Sequence, residues 1–174
     1  MMVAAGCRPS EALALRWSEV DLEDGVISIT GTVIGGAGVP CARKSSPKTK
    51  HGYRAIPISD WLVVELMAMR VDAGFEMVFP SRAGTYQWPA NVGDHWRTAF
   101  KGTKWEGIAR KAMRSTFATA VGHQHGAVAV KESLGHSRES TGERYYIGAA
   151  RVARDVTDVT DTYGPGASVA ESEG

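Results

Sequence analysis

A mainly helical α+β domain carrying one small antiparallel β-sheet is the architecture that this 174-residue chain predicts. Two β-rich runs, Val26 to Ile29 and Tyr53 to Ile58, lie in the first third with a turn-rich connection between them. From Ser59 onward apolar residues recur mostly at helical spacing. The length is that of one domain, large enough to bury a core. Near the start, Pro9 or Ser10 opens a short helix, since proline suits a first helical turn and serine can cap it. Asp24-Gly25 then leads into the first strand, and Gly35-Gly36-Ala37-Gly38 reads as a flexible turn before the second. Ser59 caps a helix with Leu62, Val63, Leu66, Met67 and Met69 at roughly helical spacing, and Gly74 ends it. A loop follows Phe79-Pro80-Ser81, then a helix around Ala90 to Phe100 and another from Ile108 to Val121. Gly122, His123, His125 and Gly126 interrupt the pattern, Ala127 to Leu134 forms two more turns closed by Gly135, and Glu139 to Ala153 makes a last helix. Residues 1–163 are expected to form the domain, and residues 164–174, with little to bury, a disordered tail.

Charge distribution narrows the function. The chain totals +1, but all five acidic residues from Asp155 to Glu173 follow the last basic one, so residues 1–154 carry +6. A basic body with an acidic tail suits a polyanionic partner. Arg43, Lys44, Lys48, Lys50, His51 and Arg54 follow one another without a carboxylate on the turn between the two strands. Arg97, Lys101, Lys104, Arg110, Lys111 and Arg114 are opposed only by Glu106. Two such groups around one core resemble a clamp on phosphates, against the plainer reading of solvated loops.

Other classes lack their signatures. No apolar run approaches the roughly 18 residues of a membrane span. Cys7 and Cys41 are too few and too far apart for a disulfide framework or a CxxC site, so a reducing cytoplasm is expected. The glycine run lacks the Lys-Ser/Thr of a P-loop, His123 and His125 lack a companion ligand set, and no GxSxG nucleophile motif occurs.

Four segments, in order, resemble the catalytic domain of the tyrosine recombinases, also called phage-type integrases. They are Gly6-Cys7-Arg8-Pro9-Ser10-Glu11, Lys48-Thr49-Lys50-His51-Gly52-Tyr53-Arg54-Ala55-Ile56-Pro57, Met113-Arg114-Ser115-Thr116-Phe117, and Leu134-Gly135-His136-Ser137 followed by Glu143-Arg144-Tyr145. The 22-residue step from Arg114 to His136 and the nine-residue step from His136 to Tyr145 make the combination specific. The resemblance spans about residues 4 to 150. It implies that Arg8 and Arg114 grip a scissile DNA phosphate and that Tyr145 attacks phosphorus to give a 3′-phosphotyrosyl link, with Tyr146 as the neighbouring alternative. Lys50, or alternatively Lys48, protonates the leaving 5′-oxygen, His136 hydrogen-bonds the phosphate, and Glu11 orients its neighbours. Arg43, Lys44, Lys48, Arg54, Lys101 and Lys104 are the expected DNA contacts.

The chain departs from the family pattern at Lys111, where a histidine is usual; lysine there either transfers a proton or contacts a phosphate. The family's N-terminal helical domain is expected to be missing from this chain. Its resemblance implies a site-specific recombinase acting on double-stranded DNA as a homotetramer, in integration or excision of a mobile element. No metal, ATP, other cofactor, membrane or small-molecule substrate is implied. The segment Ile147 to Asp161 resembles the part these proteins send into a neighbouring protomer.

Overall fold

A computed structural model describes residues 1–36, 39–45, 53–135 and 151–165. The chain enters through a one-turn helix, α1 (Pro9–Ala12), with Pro9 at its first position, where the missing N–H costs nothing. Arg8 stands before it in an extended conformation, and its backbone N–H donates to the Glu11 carboxylate at 2.8 Å.

A four-stranded sheet follows, in the order β1 (Val20–Asp21), β2 (Val26–Ile29), β5 (Arg54–Pro57) and β6 (Arg151–Val152). β1 with β2 and β2 with β5 are antiparallel, Ile27 facing Ile56. Alternation along β2 sends Ile27 and Ile29 into the core while Ser28 faces outward. Two expectations are corrected here. β6 runs parallel to β5, so the sheet is mixed; and Arg151–Val152, expected in a helix, is a strand, tied on by the Ala153 N–H to the Ala55 carbonyl at 2.8 Å. The rest of that expected helix, residues 139–150, lies outside the described residues.

Between β2 and β5 the chain forms a second, two-stranded hairpin, β3 (Thr32–Gly36) and β4 (Val39–Lys44), with a register irregularity between Ile34 and Gly36. Gly35 and Gly36, expected in a flexible turn, are therefore strand residues. α2 (Asp60–Val71) buries Leu62 and Leu66 against the sheet, joining Ile27, Ile56, Leu15 and Trp17 in the main core. Ser59 holds the position before α2 without capping it; its hydroxyl hydrogen-bonds that of Thr160 instead.

α3 (Pro89–Phe100) again begins on proline. α4 (Lys111–Leu134) is two helices joined at Gly126, whose φ of 77° and ψ of 176° are open to glycine and almost nothing else. The expected interruption over residues 122–126 is thus confined to one residue. Phe117 and Val121 of the first half pack with Ala129 and Leu134 of the second, and with Val156 and Val159 beside and within α5 (Thr157–Thr160). Residues 153–161, expected to reach a neighbouring protomer, pack on their own chain, with the Thr160 carbonyl accepting the Trp61 indole N–H at 2.9 Å. Gly164, placed by expectation in the tail, lies so close to Trp61 that a Cβ there would fall 2.8 Å from the indole.

Candidate active site

The residues around α1 meet β5 and both ends of α4 at one cluster. Glu11 is its centre: Oε1 accepts from Arg8 Nη1 at 2.7 Å, and Oε2 accepts from the Arg8 backbone at 2.8 Å and from Arg54 Nη2 at 2.9 Å. Arg114 Nη1 stands 3.9 Å from the same Oε2 and donates to the Gly6 carbonyl. The last turn of α4 supplies further acceptors, with Arg54 Nε donating to the Ser133 carbonyl at 2.8 Å and Arg114 Nη2 to the Leu134 carbonyl at 2.9 Å. Gly135 ends that helix in the left-handed region at φ 62°, turning the chain sharply immediately before His136.

Burial sorts the three guanidinium groups. The Arg54 and Arg114 side chains are 3% and 13% exposed, whereas that of Arg8 is 49% exposed. Arg54 is thus a deep strut, and Arg8 can reach a ligand outside. Gly6 is what permits the tight assembly. Its φ is +59°, and a Cβ there would come 2.7 Å from Phe117 of α4 and 2.8 Å from Leu134.

Three guanidinium groups around one carboxylate leave a net positive site. Burial alone would push the Glu11 carboxyl up, but the charge and hydrogen bond of Arg54, with the hydrogen bonds from Arg8, outweigh it and hold Glu11 below its ordinary value. Burial, followed by repulsion from Arg8 and Arg54, brings the Arg114 guanidinium down to about 10, so it remains charged at neutral pH. Burial likewise raises the Cys7 thiol above its ordinary value and keeps it protonated beneath the cluster.

Of the residues expected in the site, the structure brings Arg8, Glu11 and Arg114 together. Lys111 is exposed at the start of α4, one turn before Arg114. Lys50, Lys48, His136, Tyr145 and Tyr146 lie outside the described residues. Two expected DNA contacts are corrected. Arg54 is buried in the cluster just described. Arg43, only 6% exposed in its side chain, pairs with Glu19, donates to the Ala14 carbonyl at 2.9 Å and to Thr30 Oγ1 at 2.6 Å, and crosses Gly31 so closely that no Cβ would fit. It pins the β3–β4 hairpin to the main sheet. Lys44, Lys101 and Lys104 are exposed, and the Lys104 ammonium lies 5.0 Å from the Trp105 ring. His125 is engaged by Asp158 at 2.9 Å. Sequence reasoning missed the structural parts of Gly6 and Arg54; a glycine and an arginine, each within a matching segment, are the signals it had.

Among the described residues no helix is long and apolar enough to cross a membrane. The chain is similar in fold to several solved structures. The Tn1549 transposon integrase in complex with a circular intermediate DNA superposes with a TM-score of 0.66 at 20% identity, covering 79% of this chain and 49% of that one. The lambda integrase catalytic core gives 0.57 at 21% identity, over 88% and 82%. A lambda integrase tetramer bound to a Holliday junction gives 0.55 at 20% identity, over 84% and 42%. The chain spans about half the length of the Tn1549 integrase chain. No curated protein matches its sequence. The phage integrase family model matches residues 1–151, a span that holds α1, strands β1 to β5, the broken helix α4 and the whole arginine cluster, and the chain belongs to that family.

Proposed function

We propose that this chain is the catalytic part of a site-specific DNA recombinase that cleaves and rejoins strands through a 3′-phosphotyrosyl intermediate, in integration or excision of a mobile element. The observation that carries the reading is the cluster in which Glu11 holds Arg8 while Arg114 is fixed by the Gly6 and Leu134 carbonyls. Two anchored guanidinium groups, one facing solvent, offer paired N–H donors to the non-bridging oxygens of a phosphodiester. Their charge opposes the charge that builds on those oxygens as a fifth ligand bonds to phosphorus. Because both are held before substrate arrives, little reorganisation is left for the reaction itself.

In this mechanism the Tyr145 oxygen bonds to phosphorus and its proton leaves to solvent, or to Lys111 when that side chain is the neutral amine, which alone has a lone pair to accept it. The bond to the 5′-oxygen breaks, and that oxygen takes a proton from Lys50, or from Lys48. The bond energy stays in the phosphotyrosyl ester, so the reverse attack by a 5′-hydroxyl rejoins the strand without ATP. His136 hydrogen-bonds the phosphate. Strand exchange is proposed to require four protomers on double-stranded DNA, by analogy with the lambda integrase tetramer.

The test needs no knowledge of the target sequence. The protein is incubated with supercoiled plasmid in EDTA, quenched with detergent and examined for covalent protein–DNA adducts by mass spectrometry. An adduct that disappears with Tyr145→Phe and persists with Tyr146→Phe is the expected result. DNA binding without any adduct would instead make the chain a non-catalytic DNA-binding module.

A further inference from the structure

Beside the arginine cluster, an open cavity of about 450 Å³ lies between α3 and the start of α4, with Pro9 and Lys111 at the edge nearest Arg8. Its walls include Trp96 and Phe100, whose ring centroids are 4.6 Å apart, and among the described residues no acidic one lines it. The indole N–H of Trp96 is occupied by the Ile108 carbonyl at 2.8 Å, which fixes the aromatic wall.

Two guanidinium groups converge on this cavity over Gly93, the buried residue of α3. A Cβ at Gly93 would stand 3.1 Å from Arg110 Nη2 and 3.8 Å from Arg97 Nη1. Bare backbone is what lets both cations come so near. Arg97 has a partner in Asp94 at the exposed rim. Arg110 Nη1 is buried and has no hydrogen-bond partner among the described residues. A buried N–H of a charged group without an acceptor is costly and rare in folded proteins. An incoming anion would supply that acceptor.

We propose that this cavity is a phosphate-binding site in which Arg110, with Arg97 and Lys111, holds a DNA backbone phosphate neighbouring the one at Arg8 and Arg114. The apolar wall of Trp96 and Phe100, whose rings are tilted 49° to each other, suits the deoxyribose attached to such a phosphate, and a guanidinium fork suits its two free oxygens. The phosphate chemistry comes from the cavity alone; DNA as its source rests on the recombinase reading above.

The experiment follows the Trp96 indole N–H by NMR in the Tyr145→Phe protein, titrated separately with inorganic phosphate and with a short DNA duplex. Both are expected to shift the signal, the duplex is expected to displace phosphate, and Arg110→Gln is expected to abolish the phosphate response. In duplex binding, Arg110→Gln is expected to reduce the slope of log K against log salt by about 0.9, one phosphate contact. Gly93→Ala, which crowds both guanidinium groups, provides a second variant, and thermal melts check that each protein folds. A phosphate response that duplex does not displace would overturn the DNA assignment and leave free phosphate as the ligand. No Trp96 response to either, or an unchanged response in folded Arg110→Gln, would overturn the site. Failure of the recombinase reading shows itself separately, as wild-type protein that forms no adduct.

Discussion

Arg54 shows how much one side chain can carry. It joins β5 to Glu11 and to the Ser133 carbonyl, so its removal takes the most deeply buried cationic partner from a buried carboxylate and a donor from a buried carbonyl together. Arg54→Met should destabilise the fold by about 3–5 kcal/mol, the usual result of taking one partner from a buried ion pair, as read by urea denaturation. Glu11 makes the matching prediction with pH. Its folded carboxyl lies below its ordinary value of 4.5, so the stability it contributes is complete above that value and is lost as pH falls through the lower folded one. Glu11→Gln should therefore flatten the acid limb of a stability-against-pH curve below about pH 4.5. A limb unchanged by this substitution would place the titrating group elsewhere.

Among the elements, α4 is the most informative. Its first half carries Lys111 and Arg114, its second half the carbonyls that receive Arg54 and Arg114, and Gly126 is the joint between them. Gly126→Ala should cost about 1–3 kcal/mol, because no ordinary side chain favours that backbone conformation. A melting temperature equal to wild type would show that the joint can straighten. The break was legible in the sequence as a zone of glycine and histidine, and α2 was legible from the apolar spacing of Leu62 and Leu66, although the serine expected to cap it bonds Thr160 instead. The hairpin β3–β4 was not, because Gly35 and Gly36 have weak strand preference and continue a strand whose register is set by Val33 opposite Arg43 and Ile34 opposite Ala42, with Gly36 meeting Val39 past the irregularity. Nor was β6, whose two residues become a strand only by pairing with β5. Arg43 and Arg54 were misread for a related reason: a run of cations looks solvated until the fold brings Glu19 and Glu11 to it from 24 and 43 residues away.

For the whole molecule, the correction of Arg43 and Arg54 moves the expected DNA-facing charge onto Arg8, Lys44, Lys101, Lys104 and the α3–α4 cavity. Replacing Lys101 and Lys104 together with alanine should weaken DNA binding and reduce its salt slope by about 1.8, at roughly 0.9 per phosphate contact. An unchanged slope in a salt titration would remove that loop from the interface. The C-terminal end of the described chain closes onto its middle, with β6 beside β5 and Thr160 against Ser59 and Trp61. The carboxyl end of α4 has one more consequence. A helix ends in a partial charge of roughly −0.5, and here that end points at two guanidinium groups that already share Glu11 with a third. Three positive charges set against one carboxylate and that half charge leave an excess of roughly +1.5. In the proposed reaction a phosphodiester brings one negative charge and approaches two as the fifth oxygen bonds, so the excess sits midway between what that substrate would present and what its transition state would demand.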